Sequence, residues 1–120
     1  YAKNKYLGLV IEGSGLGHLP ALTSRKPWLP ALKRLIAKGM VICITTQCIY
    51  GRVDPYVYSN LRALEKTGAL FLEDMLTETA LVKLGWVLGH TNELDEVKKM
   101  MLTNYAGEIS ERTDEGSFLY

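Results

Sequence analysis

The sequence predicts an α/β domain, a doubly wound and mainly parallel small sheet flanked by helices, Rossmann-like in its winding. Two observations carry that expectation. Leu7 to Ile11 and Val41 to Thr45 are short apolar, partly β-branched runs bounded by glycine and turn residues, which reads as buried parallel strands. Between them Leu29, Leu32, Leu35 and Ile36 recur at helical spacing and stop at Gly39, giving a helix over 29–38 and a strand–helix–strand crossover.

The remaining elements follow in chain order. Asp54-Pro55 reads as an N-cap with proline at the first helical position, so a helix is expected over 55–67 with Val57, Leu61 and Leu64 inward and Gly68 as its stop. Leu70-Phe71-Leu72 is a third short strand. Asp74 and Thr77 are candidate caps for a helix over 77–88, with Ala80, Leu81, Leu84, Val87 and Leu88 as its apolar face and Gly89 as its end. Asn92 caps a last helix over 93–103, with Leu94, Val97 and Met101 inward. Its acids (Glu93, Asp95, Glu96) come early and its lysines (Lys98, Lys99) late, as the helix dipole favours. From Glu108 onward no period remains, and 113–120 reads as a polar tail.

A chain of 120 residues, 48% apolar and 22% charged, holds one small globular domain. No apolar run approaches the roughly 20 residues of a membrane span, and no secretory leader is recognisable, so a cytoplasmic protein without a membrane partner is expected. Cys43 and Cys48 lie outside any C-x-x-C spacing and have no neighbouring ligands, which gives zinc or a disulfide framework little support. The net charge of +1 hides an asymmetry: residues 1–53 carry eight Lys/Arg and one acid, whereas 54–120 carry six Lys/Arg and twelve acids. Arg25, Lys26, Lys33, Arg34, Lys38 and Arg52 follow one another with no intervening acid. They are either a solvated face or a surface for an acidic partner or nucleic acid.

The most informative feature is the turn after the first strand, Gly13-Ser14-Gly15-Leu16-Gly17-His18. In parallel α/β sheets ligands bind outside the carboxyl ends of the strands, and alternating glycines let the backbone approach a ligand or a neighbouring subunit closely. The pattern is not the G-x-G-x-x-G of a dinucleotide site, and the second strand ends in Thr45-Thr46 rather than an acid for a ribose. No phosphate-binding loop occurs either. Thr45, Thr46 and Gln47 end the second strand on the same edge, where hydroxyls and an amide could bind a small polar substrate or satisfy loop backbone. With His18 and His90 the only histidines, no nucleophile–base–orienter set can be assembled. His18 is therefore either a structural hydrogen-bonding residue or part of a site completed from elsewhere. Glu73, Asp74 and Glu78 resemble a carboxylate cluster but are also what a helix start favours, and Lys83, between Ala80 and Leu84, is either buried or, as such lysines more often do, snorkels at the surface.

Three blocks, Val10 to His18, Thr45-Thr46-Gln47-Cys48-Ile49-Tyr50-Gly51-Arg52-Val53, and Asp74 to Leu84, occur in an order that resembles the smaller, C-terminal domain of the L-asparaginase family. The G-L-G-H turn, the T-Q-C-x-x-G-R-V block and Asn104 to Ile109 look most like its tRNA-dependent amidotransferase branch. The resemblance covers nearly all of 7–112 and implies a domain over 1–112. It also implies that the family's opening strand and helix would precede Leu7, as parts of a longer polypeptide. The implied activity is release of ammonia from glutamine or asparagine. A partner subunit, using ATP and Mg2+, would transfer that ammonia to glutamyl-tRNA, and this domain itself would bind no cofactor. The family's nucleophilic threonine and its helpers belong to a larger N-terminal domain. In homodimeric members the glycine turn reaches the neighbour's active site, and His18 occupies the place where asparaginases commonly have asparagine. A second cross-interface position, a carboxylate in some asparaginases, falls near Tyr58. His18, Gln47 and Tyr58 are thus the candidate substrate-wall residues. A module of another class, for dimerisation or RNA contact through the 25–38 basic stretch, is the alternative.

Overall fold

A computed structural model describes residues 6–22, 24–112 and 116. Strands β1 (Gly8–Gly13), β2 (Val41–Thr46) and β3 (Leu70–Phe71) form a parallel sheet in the order β1-β2-β3. All six residues of β2 are buried, and their alternation feeds two cores. Ile42 and Ile44 join Leu32, Leu61, Leu64 and Phe71 on one face, under helices α1 (Leu29–Ala37) and α2 (Ser59–Glu65). On the other face, Val41 and Cys43 join Leu72, Leu84, Val87, Val97 and Met101 under α3 (Thr77–His90) and α4 (Leu94–Leu102). Both crossovers step the same way across the sheet, so right-handed connections place α1 and α2 together. The chain changes face only after β3, which makes the sheet doubly wound as expected.

Gly39 and Gly68 end α1 and α2 at φ 86° and 93°, the left-handed conformation read from the sequence. Other local expectations need correction. The second helix starts at Ser59: Asp54 Oδ1 accepts a 2.9 Å bond from Tyr56 N–H, so Asp54-Pro55 makes a turn instead of a helix start. Val57 is consequently exposed. Neither Thr77 nor Asn92 is a cap. Leu76 and Glu93 occupy those positions without side-chain cap bonds, and Thr91 Oγ1 receives Glu93 N–H at 3.2 Å. The α3 helix runs through Gly89 to His90, and Leu81 and Leu94 point outward.

Lys83 is the largest departure. It is only 7% exposed, on the inward face of α3 with Ala80, Leu84 and Val87. Its ammonium donates to Thr103 O at 2.6 Å and to Glu108 Oε1 at 2.5 Å and lies 5.3 Å from the Tyr105 ring centroid. Glu108 also accepts backbone N–H bonds from Tyr105 and Ala106. The segment after α4 is anchored further along, where Arg52 donates to Ser110 O and Asp74 accepts Ser110 N–H at 2.9 Å. Most of the expected polar tail, 113–120 apart from Gly116, lies outside the described residues.

Burial alone would raise the Glu108 pKa, but the Lys83 ammonium and the local N–H groups outweigh it and hold the carboxyl at about 2, against an ordinary 4.5. A depressed carboxylate contributes stability that is complete above the unfolded-state value and lost as pH falls through the folded value. The stability difference between the wild-type protein and Glu108→Gln, measured by urea unfolding, should therefore shrink as pH falls from 4.5 towards 2. A constant difference would show that Glu108 is not held ionised. Lys83→Met leaves the partly buried Glu108 carboxylate without its cation and should cost about 1 to 2 kcal/mol at neutral pH.

Candidate functional site at the carboxyl edge of the sheet

The chain leaves β1 through a turn that closes on itself. Ser14 N–H donates to His18 O at 3.1 Å, while Gly17 N–H and His18 N–H both reach Ser14 O, at 3.0 and 2.8 Å. The closure needs glycine at fixed places. A Cβ on Gly13 would lie 2.7 Å from the Gly17 carbonyl carbon. Gly15 and Gly17 have φ of 51° and 96°, and a Cβ on Gly17 would press within 3.1 to 3.3 Å of Val53, Ile44 and Phe71. The turn is thus seated on the core beneath it, and His18 is half-buried instead of standing on an open tip.

The segment after β2 locks the turn from the side. Gln47 N–H donates to Gly13 O at 2.9 Å, Thr46 Oγ1 donates to Gly15 O at 2.5 Å, and Asp54 N–H donates to Leu16 O at 3.2 Å. Thr46 Oγ1 also accepts Cys48 N–H at 3.1 Å. The Thr45 hydroxyl is fully buried and bonds Thr77 Oγ1 at 2.8 Å; Thr77 in turn donates to Glu12 Oε1 at 3.0 Å. These hydroxyls serve the scaffold, the second of the two roles that the sequence leaves open for Thr45 and Thr46. The Glu12–Thr77–Thr45 chain ties the ends of β1 and β2 to the start of α3. A single acid at the end of an apolar strand is its only sequence signal.

Of the three candidate wall residues, His18 and Tyr58 come together, with ring centroids 5.1 Å apart and planes tilted by 57°. Tyr58, the extended residue before α2, is exposed. Gln47 is exposed beside them in chain topology and shares the turn's backbone bonding, although no side-chain contact joins it to the pair. The edge therefore presents an imidazole, a phenol and an amide without a reactive centre. Among the described residues, no hydrogen bond links a histidine to Thr45, Thr46 or Cys48, and no cluster of three or more potential metal ligands forms. Burial pushes the Cys43 thiol up to about 12, which keeps it inert.

The carboxylate cluster dissolves as well. Glu73 pairs with Arg52 at 2.9 Å and Asp74 holds Ser110. Arg52 therefore leaves the row of free cations read from the sequence. A groove of about 520 Å3 runs along the outer face of α3 between Val82, Trp86 and Tyr105, and it shares no residue with His18, Gln47 and Tyr58. No helix of the described residues is long and apolar enough to cross a membrane.

The structure is that of an open parallel α/β domain with an imidazole and a phenol side by side at its carboxyl edge. The glutaminase/asparaginase C-terminal domain family matches residues 1–101, and the chain belongs to that family. It is 55% identical over 114 residues to a glutamyl-tRNA(Gln) amidotransferase chain of Thermococcus kodakarensis and to its namesake of Pyrococcus furiosus, covering 95% of this chain and 25% of each relative. The chain thus spans about a quarter of the length of those relatives. Among solved structures, it is similar to the thermostable L-asparaginase from Thermococcus kodakarensis, with a TM-score of 0.80 and 37% identity over 88% of this chain and 31% of that one. It is also similar to L-asparaginase I from Vibrio cholerae, with a TM-score of 0.77 and 29% identity over 89% of this chain and 31% of that one.

The seating of the turn is testable by comparing two glycines of similar φ. Gly17→Ala forces a left-handed residue into packed neighbours and should cost about 2 kcal/mol in denaturant unfolding. Gly39→Ala meets open space and should cost only about 1 kcal/mol. Equal losses would show that Gly17 is not pressed onto the core.

Proposed function

We propose that this chain is the C-terminal domain of a glutamine-hydrolysing subunit whose ammonia is used to convert glutamyl-tRNA(Gln) to glutaminyl-tRNA(Gln) in the cytoplasm. The observation that carries the reading is the 55% identity, over almost the whole chain, to relatives bearing that amidotransferase name. The likeness to solved asparaginases is lower in identity, at 37%. In this reading the threonine nucleophile comes from an N-terminal domain of the same polypeptide. The neighbouring copy in a homodimer receives the glycine turn, and a tRNA-binding partner subunit holds ATP and Mg2+.

The residues here would supply position, not bond cleavage. A turn anchored through Thr46, Gln47 and Asp54 can present the His18 ring to a bound amide with little reorganisation, and Tyr58 packs against that ring to limit its rotation. Gln47 adds an exposed amide at the same edge. The remaining reading, an L-asparaginase domain, is separated by substrate: asparagine turnover independent of a tRNA-bound partner would favour it.

His18→Ala in the full-length protein should lower kcat/KM for glutamine roughly ten- to a hundred-fold, equivalent to about 1.4 to 2.7 kcal/mol of transition-state stabilisation. Thermal unfolding should move little. Unchanged kinetics, or a loss of activity matched by a loss of folding, would reduce His18 to a structural residue. The isolated 120-residue chain should release no ammonia from glutamine or asparagine above buffer, because an activated nucleophile is required.

A further inference from the structure

We propose that the outward face of α1 and the loop leading into it form a contact surface for the phosphate backbone of an RNA, which under the reading above is the tRNA being amidated. Arg25, Lys26, Lys33, Arg34 and Lys38 are all exposed. Among the described residues, the ion pairs are Arg52–Glu73, Lys83–Glu108 and Lys98–Asp95, so none of these five cations is neutralised by one. The sequence places no acid between Glu12 and Asp54.

The arrangement is a stripe. Arg34, Ala37 and Lys38 lie on the side of α1 away from Leu32 and Ile36, three and four residues apart, and Lys33, four residues before Ala37, flanks them. The parallel crossover requires α1 to run antiparallel to β1 and β2. Arg25 and Lys26 therefore begin the stripe in the connection from His18's edge, and Lys38 ends it near the opposite edge. The nine residues of α1 alone give it a length of about 13 Å.

The chemistry of that face selects a polyanion over a folded protein. The helix itself exposes only Pro30, Ala31 and Ala37 beside its cations, and the loop adds one aromatic ring, Trp28, which can stack on a base, whereas lysine is depleted from protein interfaces. Like charges held one helical turn apart, as at Arg34 and Lys38, repel one another until an anion lies across them. A row of phosphates meets that need without base readout, so the contact is sequence-independent and serves to orient the RNA relative to the sheet edge.

The test uses the full-length protein assembled with its amidating partner and the triple variant Lys33→Gln/Arg34→Gln/Lys38→Gln. Binding of a tRNA(Gln) transcript is measured by filter retention across a salt series. Each lost phosphate contact removes about 0.7 to 0.9 from the slope of log K against log salt, so the slope should fall by about two, with affinity at least about tenfold weaker near 100 mM salt. Glutamine hydrolysis at saturating tRNA should be unchanged. Unaltered tRNA affinity and slope would overturn the proposal. So would loss of the partner subunit on gel filtration with tRNA binding by the remaining complex intact, which would make α1 a protein interface. Wild-type protein without glutaminase activity would refute the function proposed above while leaving the salt series to decide this surface.

Discussion

Everything at the functional edge depends on the near-contact between Gly13 and Gly17. A Cβ on Gly13 would meet the Gly17 backbone, so only glycine at position 13 permits this approach, which folds the turn back over the end of β1. Seated there, Gly17 rests on Ile44, Val53 and Phe71, so the position of His18 is fixed by the same core that holds the sheet together. The loop after β2 then adds bonds from Thr46, Gln47 and Asp54. A side chain at the end of such a turn is placed by tertiary packing, not by loop conformation alone, which is what a group meant to act on a molecule outside its own domain requires.

The second organising element is the pair Lys83–Glu108, which links α3 to the irregular segment after α4. The buried Lys83 charge and its partly buried partner are tolerated because the remaining hydrogen-bonding capacity is used: Lys83 also reaches Thr103 O, and Glu108 collects N–H groups from Tyr105 and Ala106. Together with Arg52 and Asp74 on Ser110, the pair makes a segment without secondary structure a fixed part of the domain.

The winding is legible in the sequence because each apolar run is followed by an amphipathic helix with a glycine stop, and periodicity reports such alternation directly. It does not report how wide each buried stripe is. Leu81 and Leu94 have the right spacing to be inward yet face out, since α3 and α4 each bury a narrower strip than their apolar content offers. Lys83 reads as a surface lysine because its partner lies 25 residues away in a stretch without period, where spacing carries no information. Thr45 and Thr46 look available in one dimension because a hydroxyl's occupancy depends on neighbours from other segments, Thr77 and Gly15. His18 stands out through the glycines around it. Tyr58 is indicated through family resemblance alone, and its ring contact with His18 is a product of the fold.

The position of β1 has a consequence for handling the domain by itself. Leu9, Val10 and Ile11 are only partly buried, and among the described residues no strand pairs with the side of β1 away from β2. Short, apolar and uncharged until Glu12, that strand is a template on which another copy can add its own backbone, because it lacks the lysines, prolines and bulges that blunt natural sheet edges. Edge-to-edge pairing is thus a route to association open to the separated domain.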